Sequence, residues 1–452
     1  MAPVFRRILR TTMAEFTEDR YGRWMGTIYL VFALCFFIIN IGSMLKGAGK
    51  VISQATGGSV GANEIVMATT VLFILYSVVG GLIAAAWTDL FQGFLIIVLS
   101  FMLVPLGWNV VGGLHGMKAS LEPFRFSLST PSGIGPWVIL MLTVNGLVGI
   151  MAQPQQLAAV GTGRDERTCR IGMFFGNFVK RVCTVGWALV GLIAAAIIAQ
   201  GHATPEVLGD PENAFGFACR QLLFPGALGL LIASILAANM SSCSALLVGS
   251  GALFTEGLYR RHLAPDRPDR HYVLVGRTSG FAITIVGVLY AVFLIKSVLY
   301  TFLLTETMAT FVGISVVGGI VWRRANRWGA LASLLASLLT NFILYYVTGQ
   351  RLDHWDPNVF LAALLAGIAA LVVVSLVTAA EPAAGVESFF TRLETSSDDE
   401  SRKPLLFVHL LDLRKTIRQR GAGAYREDVG GFAAGWALVV LLVLATALFL
   451  KT

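Results

Sequence analysis

Eleven stretches of this chain are apolar for about twenty residues or more, and that pattern limits the fold before any single residue does. They lie at about 25–50, 62–86, 90–112, 136–158, 171–199, 225–258, 272–295, 299–322, 328–348, 358–379 and 431–450. A helix rises ~1.5 Å per residue, so ~20 residues cross the ~30 Å hydrocarbon layer of a bilayer. The segments are therefore expected to be spanning helices, and the fold class all-α and polytopic. Composition agrees: 13% of the 452 residues are charged, about half the ~25% of a soluble domain. An ordinary soluble enzyme is excluded. The 48 glycines lie largely inside spans, where small residues let helices approach closely in lipid.

Charge gives the expected orientation. Of 34 Lys and Arg, 24 fall in alternate polar segments: residues 1–24, the loops near 164–170, 260–277 and 323–327, and the stretch 380–430. Seven fall in the intervening segments and three (Lys46, Lys180, Arg181) within spans. Lys and Arg accumulate on cytoplasmic loops, so the N-terminus is expected inside and the C-terminus outside. The net charge of +8 is then a matter of topology and gives no argument for nucleic-acid binding. The expected organisation is a cytoplasmic stretch at 1–24, a transmembrane core of about ten spans at 25–379, a cytoplasmic linker at 380–430 and a C-terminal spanning helix at 431–452. Within the linker, TSSDDESRK reads as solvated tether and LLFVHLLDLRKTIRQR as a short amphipathic helix on the membrane surface. MAPVFRRILR leads into an acidic, polar stretch rather than an apolar one, unlike a signal peptide. The five cysteines show no CxxC or metal-type spacing and read as small buried residues.

Three segments carry polar residues at membrane depth. YSVVGGLIAAAWTDLFQG (Tyr76 to Gly93) sets Thr88, Asp89 and Gln92 at the mouth of the third span. Thr88 or Asp89 as a helix N-cap is one reading, an ion-facing mouth the other. ILAANMSSCSALLVGSGALFTEGLYRR (Ile235 to Arg261) places Ser241, Ser242 and Ser244 mid-span, about a turn beyond Ala237 and Ala238. Such hydroxyls bond the carbonyl four residues back in a packing helix, or offer a desolvated Na+ the hard oxygens it needs. PWVILMLTVNGLVGIMAQPQQLAAV is interrupted by Asn145, Gly146, Gly149 and Gln153-Pro154: a proline kink, or a broken helix lining a substrate cavity. Glu306, about two turns into the eighth span, faces a wet cavity because a charge in lipid costs ~2.5–3.5 kcal/mol. It either meets the positive part of a solute or lines an outer vestibule. No catalytic triad, paired carboxylates, P-loop or dinucleotide fingerprint falls in a suitable context, so a membrane-embedded enzyme is not expected.

Together these segments resemble the sodium:solute symporter family. YSVVGGLIAAAWTDLFQG is similar to its signature, AANMSSCSALLVGSGALFTEGLY to its Ser-rich helix, VWRRANRWGALAS to the segment after its tenth core helix, and APVFRRILRTTMAEFTEDRYG to its basic cytoplasmic stretch. The matches keep family order from the first residues to about residue 340. The resemblance implies ten core helices in two inverted five-helix repeats, with solute bound at the midplane and alternating access driven by the Na+ gradient. It makes the Ala238 carbonyl and the Ser241 and Ser242 hydroxyls half of a Na+ site, with Asp89 below it as an aid to ion release. Asn145, Gln153 and Glu306 become solute-contact candidates. Na+ is the implied coupling ion, with no organic cofactor; the partners are a small solute and the bilayer.

Departures accompany the match. Gly146 and Ile150 stand where proline carriers place aromatic residues, and Gly257 stands where an acidic residue is usual, so the resemblance does not single out proline. In the family a leading helix and the first two core helices precede the stretch matched here. The chain is thus expected to be a member lacking its first helices, with a separate chain as a conceivable source of them. Three oxygens also fall short of the about five or six that an ion takes. The reading is Na+-coupled symport of a small polar organic solute (sugar, amino acid or carboxylate) across the cytoplasmic membrane. The alternative is a truncated, non-transporting membrane subunit or sensor input module whose contact is the 380–430 stretch.

Overall fold

The computed structural model describes residues 2–8, 10–129, 134–161, 163–202, 204–349, 355–398, 404–412, 417–418 and 422–451. Its α-helices in chain order are α1 Ala2–Ile8, α2 Met13–Tyr21, α3 Arg23–Ala55, α4 Ala62–Val110, α5 Gly113–Ser120, α6 Pro136–Gly149, α7 Pro154–Gly161, α8 Glu166–Ile197 and α9 Pro205–Gly209. They continue with α10 Ala214–Leu222, α11 Pro225–Phe254, α12 Asp269–Phe293, α13 Val298–Val321, α14 Arg327–Val347, α15 Pro357–Val377, α16 Ala383–Glu394 and α17 Arg426–Lys451. Among the described residues nine helical segments are long and apolar enough to cross a membrane, and two shorter apolar ones occupy Ala62–Leu75 and Pro136–Gly149. Each coincides with one of the eleven apolar stretches in the sequence.

Local chemistry sets the boundaries. Thr12 and Glu15 form a reciprocal cap at the start of α2: the Glu15 amide donates to Thr12 Oγ1 at 3.3 Å and the Thr12 amide to Glu15 Oε2 at 3.0 Å. Gly22 then turns the chain at φ +87°, a conformation that side chains disfavour, and α3 departs in a new direction. Pro154 lacks an amide proton and crowds the carbonyl four residues back, so the fourth apolar stretch divides into α6 and α7. The expected turn near residue 88 is absent. Helix α4 runs unbroken for 49 residues, about 74 Å, because the Ala-rich stretch there favours helix. Asp89 is therefore interior to a helix, and the N-cap reading of Thr88 or Asp89 is corrected; the Thr88 side chain lies outside the described set.

Helix α13 is the most enclosed of the apolar helices and α17 the least. The main core joins Tyr29, Phe37 and Ile41 of α3, Cys243 and Leu247 of α11, and Val312, Val316 and Ile320 of α13. Large apolar side chains such as Phe91, Phe94 and Val377 stay exposed, as a lipid-facing surface requires. The cysteines are free, Cys35 exposed and the other four buried.

The 380–430 stretch packs more closely than a tether would. Phe389, Phe390 and Leu393 of α16, with Leu405 and Val408, join the same core as α3 and α13. Residues 406–412 form turns rather than the amphipathic helix expected there. Arg351, Arg402, Lys403, Arg414, Lys415 and Arg420 lie outside the described residues.

Candidate ion and solute site

Two polar clusters form inside the bundle. In the first, α4 packs along α11 and the Ser241 hydroxyl donates to Asp89 Oδ1 at 2.5 Å. Residues three and four apart share a helix face, so Ala238, Ser241 and Ser242 look the same way. All three are half-buried. Helix α11 is continuous here, which directs the Ala238 carbonyl at the amide one turn on and leaves it a second lone pair. Ser242 makes no hydrogen bond through its hydroxyl among the described residues, and Ser244, also buried, donates to the Ser241 carbonyl at 3.0 Å. The Ser-rich stretch is therefore divided: Ser244 satisfies its own helix, while Ser241 and Ser242 present oxygen beside a carboxylate.

The second cluster lies where the broken helix meets α13. Gln153, at the break, donates through Nε2 to both oxygens of Glu306, at 2.8 and 2.7 Å. One turn further along α13, Thr310 donates to Asn145 Oδ1 at 2.5 Å and approaches the Asn145 carbonyl at 2.8 Å. Asn145 is only 2% exposed, so the structure ties it between α6 and α13, whereas Gln153 and Glu306 are half-buried. The helices come this close because Gly149 has no side chain: a Cβ there would sit 2.9 Å from Thr310 Oγ1 and 3.2 Å from the Glu306 carbonyl. At the break the Ala152 carbonyl accepts from the Tyr29 hydroxyl of α3 at 2.5 Å, which satisfies backbone that a kink would strand.

The seven residues marked out in the sequence thus fall into two groups, Asp89 with Ala238, Ser241 and Ser242, and Asn145 with Gln153 and Glu306. Thr310 and Tyr29 are additions, as are Gln155 and Gln156, whose side-chain amides donate to Gln153 Oε1 at 3.1 and 3.3 Å. Thr310 was legible in principle, four residues after Glu306 on the same helix face; the Tyr29 contact has no local signal.

Helix α13 is held at both ends. At one, Glu212 accepts from Ser297 Oγ at 2.8 Å and from the Val298 and Leu299 amides at 2.8 and 3.0 Å, capping the helix, while Lys50 donates to Glu212 at 2.5 Å and Asp210 at 2.9 Å. Burial alone would raise the Glu212 carboxyl, but Lys50, the Leu299 amide and Ser297 outweigh it and hold the group below the ordinary carboxylate value. At the other end Arg20, 3% exposed, donates to the Gly319 and Trp322 carbonyls at 2.8 and 3.0 Å. Arg20 also lies over the Phe389 and Phe390 rings, at 5.8 and 5.7 Å.

Helices broken at membrane depth, with polar groups gathered where the backbone is freed, are the construction of secondary transporters, and fold and site place the protein in that class. The chain belongs to the sodium:solute symporter family, whose sequence profile matches residues 1–337. It is 26% identical over 378 residues to the osmoregulated proline transporter of Bacillus subtilis, covering 81% of this chain and 74% of that one. With the high-affinity proline transporter of the same organism it shares 27% identity over 409 residues, covering 85% and 80%. With the sodium/glucose cotransporter of Vibrio parahaemolyticus it shares 26%, covering 74% and 66%. A Na+-coupled sialic acid symporter, solved in a substrate-bound outward-open state, has the same fold: TM-score 0.67 at 18% identity, covering 84% of this chain and 80% of that one. Membership makes the protein a multi-pass membrane transporter and Na+-coupled solute symport its class of activity, with Na+ the coupling ion. The family does not specify the solute.

Proposed function

We propose that the chain carries a small polar organic solute across the cytoplasmic membrane together with Na+, with its N-terminus inside and its C-terminus outside. The Ala238 carbonyl and the Ser241 and Ser242 hydroxyls would contribute to the ion site, and Asp89 would draw the ion onward. The observation that carries the reading is the meeting of Ser241 with Asp89 across α4 and α11, beside the unengaged Ser242 hydroxyl: hard oxygens facing one another at membrane depth suit a desolvated monovalent cation. Solute would enter between the α6–α7 break and α13, contacting Gln153 and Glu306. Asn145 would position α6 through Thr310. Coupling follows if Na+ favours the arrangement in which the solute site is formed.

The orientation rests on the distribution of Lys and Arg. The comparisons lend no support to a separate chain supplying further helices, and none enters this proposal. The sensor or subunit reading is not favoured, because the segment it would use packs on the chain's own helices through Phe389, Phe390 and Leu393. The test is Na+ titration of solute uptake or binding in proteoliposomes. Ser241→Ala and Ser242→Ala should each raise the half-saturating Na+ concentration about tenfold, about 1.4 kcal/mol for one lost oxygen ligand. An unchanged Na+ requirement in both variants would refute the assignment.

A further inference from the structure

The second cluster holds more acceptors than the protein itself satisfies. Gln153 is fixed in orientation: its Oε1 accepts from Gln155 Nε2 at 3.1 Å and Gln156 Nε2 at 3.3 Å, so its own NH2 must face Glu306. A flipped amide would set donor against donor on one side and oxygen against carboxylate on the other. Glu306 has two oxygens with about four lone-pair sites, and Gln153 Nε2 is its hydrogen-bond partner among the described residues. It forms no salt bridge there; Lys180 of α8 acts on it only from beyond ion-pair distance. On the Oε1 side of the Gln153 amide, Gln155 donates through Nε2 while its own Oε1 is buried and has no hydrogen-bond partner. A half-buried carboxylate and an orphaned amide oxygen, joined through one oriented glutamine, form a site short of both positive charge and N–H donors.

We propose that Glu306 receives a positively charged amino group of the transported solute, so that the substrate class is ammonium-bearing. This rests on the reading of the chain as a solute symporter and narrows it. An ammonium brings one charge and three donors, enough for the lone pairs of the Glu306 oxygens that Gln153 leaves open. A neutral sugar would leave the carboxylate without an ion-pair partner, and a monocarboxylate would be repelled by it. Gln153 is then a positioning residue that holds the carboxylate in place without neutralising it.

The test uses the full chain in lipid nanodiscs and reads binding and thermal shift with and without Na+. The probes are L-proline (zwitterion), ethanolamine (cation), D-glucose (neutral) and propionate (anion), each amine also in its N-acetyl form. Na+-dependent binding is expected for L-proline or ethanolamine, with N-acetylation weakening it about tenfold or more. Glu306→Gln should lose that preference for the free amine, and Glu306→Asp should keep part of it. The thermal shift from Na+ alone should be the same in all three proteins, which shows that each is folded and holds the ion. Na+-dependent binding of D-glucose or propionate that survives in Glu306→Gln would overturn the ammonium assignment and leave symport standing. A preference for the free amine that survives in Glu306→Gln would overturn it too. No Na+-dependent response of the unmodified chain to any probe would overturn the symport reading, and this one with it.

Discussion

The pair Arg7–Glu166 joins three parts of the chain that are far apart in sequence, and breaking it should have two separable effects. Arg7 Nε and Nη2 reach the two Glu166 oxygens, both at 2.9 Å, in a bidentate fork whose side chains are 1% and 9% exposed. The same groups hold the segment after α15: Arg7 Nη1 donates to the Leu393 carbonyl at 2.8 Å, and the Ser397 amide donates to Glu166 Oε1 at 2.9 Å. Removing one member of so buried a pair leaves a charge without its partner, which costs about 3–5 kcal/mol. For a chain of this length that corresponds to a fall of about 3–5 °C in the melting temperature. Glu166→Leu and Arg7→Met should each show this loss in detergent. The double variant replaces the pair with apolar groups and should recover most of the stability, since a buried pair and a well-packed apolar pair are of similar worth. Limited trypsin digestion at Arg392 reads the second effect. Arg7→Met loses the bond to Leu393, Glu166→Leu the bond from Ser397 and the double variant both, so all three should be cut faster than the unmodified chain, even where stability has returned. Single variants within 1 kcal/mol of the parent, or a double variant as unstable as the two losses added, would refute the reasoning.

Two further outcomes follow from the same geometry. Because the Glu212 carboxyl is held below its ordinary value, its contribution to stability is full above the unfolded value of about 4.3 and is lost as pH falls through the folded value. Melting curves of the parent and Glu212→Gln should therefore differ at pH 6–8 and converge as pH falls through the lowered folded value; convergence at high pH instead would contradict the clasp. Gly149→Ala forces a methyl group to 2.9 Å from Thr310 Oγ1 and should cost about 1–3 kcal/mol through overpacking. Adding Thr310→Ala should restore part of that stability in a double-mutant cycle, and strict additivity would show that the two helices do not touch there.

Long apolar runs, proline and the placement of arginine are local properties, and they carried much of this protein in plain sight. The eleven apolar stretches all lie in helices, the second and third in the one long α4, because hydrocarbon forces backbone to satisfy itself within its own segment. Pro154 broke the fourth because a missing amide proton and a steric clash act over one turn. The Trp-Thr-Asp and Ser-rich stretches marked Asp89, Ser241 and Ser242 by type and spacing. What one stretch does to another lies outside such signals. That α4 continues through Asp89 is decided by the helix-favouring alanines together with packing along α11, against the N-cap signal that Thr88 and Asp89 give locally. That Asn145 is engaged by Thr310 while Glu306 is left with a single oriented glutamine depends on how closely two bare glycine backbones, Gly149 and Gly313, let α6 and α13 approach. The segment after α15 reads as a tether by composition, yet Phe389, Phe390 and Leu393 find a core in helices more than three hundred residues earlier. Helix formation is settled by neighbours a turn away, whereas the pairing of charges and the burial of side chains depend on distances that only the assembled bundle fixes.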